Sequence, residues 1–345
     1  MLVVIYEDRP QVLVGVQLAI LSLAQHSKDL PVLAIVPGVG DEFLRWSERF
    51  PNLTVRADRE GVIGQGWNVK PSVLKNLLEE GKDQVLWFDS DLVVTGDLGA
   101  HLARFDDATV VGAEEYAWGH HQGSDARTVG LGLSVARTFP ATINTCLLRV
   151  SQQHRALVDD WHDILASEAY LAAQRLPARD RPFHLWSDLQ VFTGLMGSTK
   201  YGDVPVELLA RGSEIAQCYG PSGYTVLERL RAGRELPLLV HAMGAKPWAP
   251  PSAPIGARRG VRLLKGVEAV HQDLTPYVEV ARAYRGQFDG DDSWLEPRTR
   301  AGRLLTRMFP RRPAARELPL AMLDTTARQL RAWMRIGRIA AAASD

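Results

Sequence analysis

Two carboxylates stand two positions apart where an apolar run stops: Val85-Leu86-Trp87-Phe88-Asp89-Ser90-Asp91-Leu92-Val93-Val94. Carboxylate oxygens suit a hard divalent cation such as Mn²⁺ or Mg²⁺, and a cation there could hold a diphosphate. An unpaired carboxylate beside a core is costly, so two in succession need a reason. A solvated strand-to-loop turn, in which Asp-Ser-Asp is ordinary, is the alternative. His241 is another metal-competent side chain, at the end of the apolar stretch 236–240. Alone it reads as structural; beside two strand-end aspartates in one chain it becomes a third candidate ligand.

Strands must carry these residues. A short continuous apolar run reads as a strand buried on both faces, as in an open α/β sheet, and such sheets bind ligands at the carboxyl ends of their strands. Residues 2–6, 31–36 and 53–55 read as strands, and 12–24 and 41–50 as the helices between them, with Asp41 a candidate N-cap. This alternation predicts a parallel sheet with right-handed crossovers, whose open ends carry Glu7, Asp8 and Asp58. Gly61 to Gly66 lacks dinucleotide-fingerprint spacing and reads as a mobile loop. A helix over 72–80 follows, with Pro71 near its start; Lys70 before it faces either a phosphate or solvent.

Residues 109–112 and 143–150 read as further strands, the second opened by Ile143-Asn144-Thr145. The long stretch 114–142 between them reads as a lid or acceptor loop, with His120-His121 a solvated pair. Residues 154–174 read as one helix, a second begins at 186–192 with Ser187 as cap, and 260–285 is helical with breaks. From Glu296 onward arginines recur among Leu304, Leu305, Met308, Phe309, Leu330, Trp333, Met334 and Ile336. That basic amphipathic pattern reads as a membrane-surface or anionic-partner element, or as a packed helical tail with solvated arginines.

Composition narrows the class. The chain has 345 residues, with 40 Lys plus Arg against 40 Asp plus Glu, so nucleic-acid binding is not expected of it. Two cysteines, Cys146 and Cys218, fit a reducing, cytoplasmic compartment rather than a disulfide framework. No signal peptide or membrane-spanning run is expected, which leaves peripheral membrane contact through the tail.

Three pieces in order carry a resemblance: VLWFDSDLVVTGDL, INTCLLRV and HAMGAKPW. Together they resemble the metal-binding stretch, the Asn-opened strand and the His-x-x-Gly…Lys-Pro-Trp signature of GT-A glycosyltransferases of the glycogenin and lipopolysaccharide galactosyltransferase family, over roughly 250 residues. The resemblance implies a single α/β GT-A domain over 1–255, a helical connection over 256–295 and a basic tail over 296–345. It also implies a metal-dependent, retaining transferase that moves a sugar from a nucleotide-diphospho-sugar, UDP-linked by prior, to a glycan, lipid or small-metabolite acceptor. Asp89, Asp91 and His241 would ligate Mn²⁺ or Mg²⁺. Gly244 and Lys246 would contact the diphosphate, and Lys70, Ser90, Glu7 and Asp8 would lie in the donor region. Asn144, Asp188 and Gln190 would line the sugar pocket near the reacting carbon.

Departures are visible. The His241-to-Lys246 spacing is one residue short, Leu189 interrupts the Asp-Gln pair, and the N-terminal uracil-recognising motif is absent. FDSDLV also resembles the nucleophile strand of haloacid-dehalogenase-type phosphatases, with Phe288-Asp289-Gly290-Asp291-Asp292 as a loose acidic motif. In that reading Asp89 is a covalent nucleophile. A non-catalytic sugar-nucleotide-binding module is the third reading.

Overall fold

The computed structural model describes residues 1–116, 125–249 and 259–342, the side chains of 259–264 and 331–342 excepted. Trp118 and the His120-His121 pair lie outside the described residues. The chain divides into two compact units, one of Met1–Glu115 with Gly119–Arg211 and one of Gly212–Asp345 with Tyr116–Trp118.

The first unit is α/β. Its strands are β1 (Leu2–Tyr6), β2 (Val32–Ile35), β3 (Leu53–Arg56), β4 (Gln84–Phe88), β5 (Leu92–Val94), β6 (Val110–Glu114), β7 (Ile143–Ser151) and β8 (Val206–Leu209). Its helices are α1 (Leu13–His26), α2 (Asp41–Ser47), α3 (Lys70–Glu79), α4 (Leu98–Leu102), α5 (Asp125–Gly130), α6 (Arg155–Ala166), α7 (Glu168–Arg175) and α8 (Asp188–Met196). Seven strands form one sheet in the order β3-β2-β1-β4-β7-β6-β8. Pairing is parallel across β3, β2, β1 and β4, as the strand–helix alternation predicts, and again between β6 and β8. β7 runs antiparallel to both β4 and β6. The sequence reading gave β7 no direction, because the side-chain pattern of a strand carries none.

Helices α3, α6 and α8 cover one face of the sheet. Val73, Leu77, Trp161, Val191 and Phe192 join Val85, Trp87, Leu148 and Val150 in one buried cluster. Burying side chains of this size contributes roughly 1.5–3 kcal/mol each. The sheet's strand ends are therefore fixed by a dense core and can hold polar groups in place.

Several expected elements differ in detail. The single helix over 154–174 is two: Ser167 takes an extended conformation and caps α7, its hydroxyl accepting from Tyr170 N–H. The stretch 114–142 is not all loop, since α5 forms within it and places Arg127 and Thr128 in the interior. The loop at Gly61–Gly66 is tied to α3: Ser72 Oγ accepts from Ile63 N–H at 2.8 Å, and Asn76 Nδ2 donates to Gly61 O at 2.8 Å.

The second unit holds β9 (Ile215–Gln217) and β10 (Leu239–His241), paired in parallel, with helices α9 (Val226–Ala232), α10 (Arg259–Leu274), α11 (Pro276–Ala281), α12 (Arg300–Met308) and α13 (Leu318–Ala342). Two ion pairs join residues just before α13 to the other helices of this unit. Arg229 on α9 and Glu317, just before α13, form a fully buried ion pair at 2.7 Å, and His271 on α10 shares the same carboxylate. Arg316 pairs with Glu279 on α11. No described helix is long and apolar enough to cross a membrane.

Candidate functional site

β4 delivers Asp89 to the carboxyl end of the sheet, and the chain turns at once. Asp89 N–H donates to Cys146 O at 2.8 Å, and Leu92 N–H donates to Asp89 O at 3.1 Å. Asp89 Oδ1 accepts from Trp87 Nε1 at 2.6 Å, a contact that period-2 alternation makes available on one strand face.

Lys70 stands at the centre of the group. It opens α3 and is 5 % exposed. Its ammonium lies 3.3 Å from Asp89 Oδ1 and 3.5 Å from Asp188 Oδ2. It also donates to Thr145 O at 3.2 Å and Thr145 Oγ1 at 3.1 Å. Burial alone would lower the Lys70 pKa, but Asp89 and Asp188 outweigh it, so the pKa is raised and the ammonium keeps its proton. Lys70 is therefore not a surface lysine; its ammonium faces carboxylates.

An irregularity in β7 aims Thr145. Val111 of β6 pairs with Arg149, but Ala113 pairs with Asn144, so six residues of β7 oppose three of β6. Asn144 Oδ1 accepts from Cys146 N–H at 2.9 Å across this disrupted register. Thr145 Oγ1 donates to Asp188 Oδ2 at 2.8 Å, and Thr193 Oγ1 accepts from Ile143 N–H at 3.0 Å. β7 is thereby laced to the first turns of α8. Bulged strands recur beside sites where a side chain must be re-aimed.

Gln190 is fully buried on α8, and its Oε1 accepts from Arg127 Nε. Arg127 also donates to Thr142 Oγ1 and lies over the Phe183 ring at 4.6 Å. Burial pushes the Arg127 pKa down to about 10, with the Glu115 charge opposing. Because the oxygens of Asn144 and Gln190 are both occupied, their amide nitrogens point elsewhere as donors. Neither Nδ2 of Asn144 nor Nε2 of Gln190 has a hydrogen-bond partner among the described residues, and both are buried. Buried orphan donors are rare and cost about 1–3 kcal/mol each. Ser187 occupies the N-cap position of α8, as the sequence predicts, but its hydroxyl makes no capping bond.

At the end of β1, Glu7 is engaged from within the unit. Its carboxylate accepts from Arg9 Nε at 2.7 Å, from Arg9 Nη2 at 2.9 Å and from Ser90 Oγ at 2.6 Å. Arg9, whose side chain is 49 % exposed, is thus the group Glu7 and Ser90 hold at the surface. Sequence reasoning passed over Arg9; its signal was the Glu-x-Arg spacing after a buried strand. Asp8 accepts from Tyr6 OH at 3.4 Å. Asp91 is buried, and its charge helps raise the Arg9 pKa, behind the Glu7 hydrogen bond.

In the second unit, β10 ends on His241, which is 3 % exposed and whose carbonyl accepts from Cys218 N–H at 2.9 Å. Gly244 has φ +75°, and a Cβ there would meet the Tyr219 ring at 3.3 Å, so glycine is required. Lys246 Nζ donates to Ala242 O at 2.7 Å, which turns it back onto its own loop. Trp248 lies against Tyr277 and Trp294, with ring centroids 5.5 and 6.0 Å away. It anchors the loop rather than lining a polar site. The acidic run at Asp289–Asp292 is a surface turn in which Asp291 accepts from Ser293 N–H and Oγ.

A cavity of about 580 Å³ lies at the opposite, amino ends of β1 and β4 in the first unit. There Arg149 donates to the carbonyls of Leu102, Phe105, Asp106 and Thr109, a structural arrangement with no reacting group.

No protein-family model matches the chain, and no curated protein matches it. Among solved structures it is similar to the bifunctional glycosyltransferase WbbM, at 13 % identity and TM-score 0.48, over 82 % of this chain and 51 % of that one. It is similar to the glycosyltransferase GlyE of Streptococcus pneumoniae TIGR4, at 14 % identity and TM-score 0.46, over 82 % of this chain and 62 % of that one. It is also similar to the galactosyltransferase LgtC, solved with donor and acceptor sugar analogs, at 18 % identity and TM-score 0.46, over 84 % and 100 % of the two chains. The chain thus spans about half the length of WbbM and somewhat under two thirds of GlyE.

Proposed function

We propose that the chain is a metal-dependent glycosyltransferase of GT-A architecture. It would move a sugar from a nucleotide-diphospho-sugar to an acceptor hydroxyl, with retention of configuration. The observation that carries this reading is Lys70, buried between Asp89 and Asp188 at the carboxyl end of β4. A buried ammonium has a large desolvation cost, and this one ties the strand-end acid to α8. The resemblance carried by VLWFDSDLVVTGDL, INTCLLRV and HAMGAKPW shares Asp89 with this group and suggests the chemistry.

Asp89, Asp91 and His241 are the candidate ligands of a divalent cation by residue type and by their place at strand ends. Two carboxylates and an imidazole suit Mn²⁺, and two carboxylates suit Mg²⁺. Such an ion supplies Lewis-acid neutralisation of the charge that builds on a departing nucleoside diphosphate.

The chain's own residues do the rest. Lys70 holds Asp89 and Asp188 in fixed positions. The unpartnered amide N–H groups of Asn144 and Gln190 are donors for hydroxyl or ring oxygens of the sugar, each fixed because its carbonyl oxygen is already bonded. Asp188 is a poor nucleophile, since one oxygen faces both the Lys70 ammonium and the Thr145 hydroxyl. That supports same-face attack, in which a donor phosphate oxygen takes the acceptor's proton, over double displacement through Asp188. Preorganised donors of this kind act without reorganising during the reaction.

The test is a calorimetric panel of UDP-, GDP-, ADP-, CDP- and TDP-sugars, each with Mn²⁺ and with EDTA. Cation-dependent binding of one donor, with release of its nucleoside diphosphate, is expected. Release of inorganic phosphate from simple phosphoesters, with no donor bound, would establish the phosphatase reading instead.

A further inference from the structure

Residues 297–316 contain seven arginines and no Asp or Glu. Two of the seven have acidic partners in the fold: Arg298 with Asp273 and Arg316 with Glu279. The other five, Arg300, Arg303, Arg307, Arg311 and Arg312, are exposed.

Helix α12 sets how they are displayed. Thr299 caps it, its hydroxyl accepting from Gly302 N–H at 2.9 Å. Gly302 and Leu305 are the buried side. Gly302 lets α12 approach α10 closely, since a Cβ there would come within 2.5 Å of Asp273 Oδ2. With that side committed, the opposite face carries Leu304 and Met308, each 59 % exposed, among Arg300, Arg303 and Arg307. Positions 300, 304, 307 and 308 share this face by helical spacing, and Arg311 and Arg312 follow just past the end of the helix. Arg303 and Arg307 are like-charge neighbours four residues apart on α12, which costs the helix a few tenths of a kcal/mol. Two large apolar side chains amid unneutralised arginines match a surface that is anionic outside and apolar just beneath.

We propose that the outward face of α12 docks on an anionic phospholipid bilayer, lying in the interface with Leu304 and Met308 in the acyl boundary and the five arginines at the headgroups. A helix whose apolar face enters the headgroup boundary while basic residues meet anionic lipid has this composition. A second copy of the chain does not fit the face, because two such arginine arrays would repel. A soluble polyanion would meet the arginines but gain nothing from Leu304 and Met308. The inference is independent of the transferase reading, since vesicle binding requires no sugar donor.

The experiment is co-sedimentation of the full chain with vesicles of phosphatidylcholine alone and with about 30 % phosphatidylglycerol, at low and high salt. Two double variants accompany it, Arg303→Gln with Arg307→Gln and Leu304→Ser with Met308→Ser. Circular dichroism and thermal unfolding of each verify the fold. The parent chain is expected on the anionic vesicles only, less so at high salt. Each arginine should be worth about fivefold in partitioning, so the first variant should lose roughly 25-fold. The apolar variant should lose more than about tenfold. Absence from anionic vesicles would overturn the proposal. So would a loss confined to the arginine variant, which would mark a purely electrostatic contact with a soluble polyanion. Concentration-dependent dimerisation without vesicle binding would also overturn it, in favour of self-association.

Discussion

The Lys70 ammonium stands 3.3 Å from Asp89 Oδ1 with only 6 % of the Lys70 side chain exposed. Replacing it by methionine would remove the cation shared by the buried Asp188 and the partly exposed Asp89. Removing one partner of a buried ionic group typically costs about 3–5 kcal/mol. Lys70→Met is therefore expected to lower the thermal midpoint sharply and abolish donor binding, whereas Asp188→Asn should cost less stability. Calorimetric unfolding of both variants measures the difference.

The same ion group predicts a pH response. The folded Lys70 pKa is raised, so its contribution is fully present below the unfolded-state value of about 10.4 and is lost only as pH rises through the folded value. Glu317 is the opposite case: the charges of His271 and Arg229 outweigh desolvation and lower its pKa. Its contribution is present above the unfolded-state value of about 4.3 and is lost as pH falls through the folded one. Denaturant titrations should show a flat neutral range and an acid limb. Glu317→Gln should be less stable at pH 7 and should flatten that limb.

Truncation at the start of the basic region tests how α12 and α13 belong to the second unit. Ending the chain after Leu295 removes Glu317 and strands Arg229, which is 1 % exposed. A loss of roughly 3–5 kcal/mol in a marginally stable unit predicts aggregation or unfolding of the truncated chain. A soluble truncated chain with an unchanged unfolding transition would contradict the structural role given to the pair.

Gln190 and Arg127 give a kinetic prediction. Arg127→Lys keeps the charge but loses the directed Nε–H, so Gln190 can rotate its amide. If Gln190 orients the sugar near the reacting carbon, kcat should fall by about 10²-fold with little change in donor affinity. Equal loss in kcat and binding, tracking a lowered thermal midpoint, would indicate a structural role only.

Much of the first unit was legible because β1, β2 and β4 are continuous apolar runs that only a sheet buried on both faces explains. The strand-end acids were legible for the same reason: Asp89 and Asp91 interrupt such a run. The clamp around them was not. Lys70, Thr145 and Asp188 lie far apart in sequence, and only the folded chain makes them neighbours. Arg127 was missed because it lies in a stretch whose glycines masked α5. Gly64 was read as part of a mobile loop, yet its φ is +101° and a Cβ would meet Asn68 O at 2.9 Å. The basic C-terminal region was seen as amphipathic, but the buried Arg229–Glu317 pair joins residues 88 positions apart and leaves no local pattern.

Donor calorimetry on Asp91→Asn beside the parent chain tests the central claim most directly, with Mn²⁺ and with EDTA. The parent should bind one nucleotide-diphospho-sugar in Mn²⁺ and lose it in EDTA. Asp91→Asn should unfold at the parent's temperature yet bind that donor no better in Mn²⁺ than in EDTA. Donor binding in EDTA, or in the variant at the parent's affinity, would contradict a metal-dependent donor site at the end of β4.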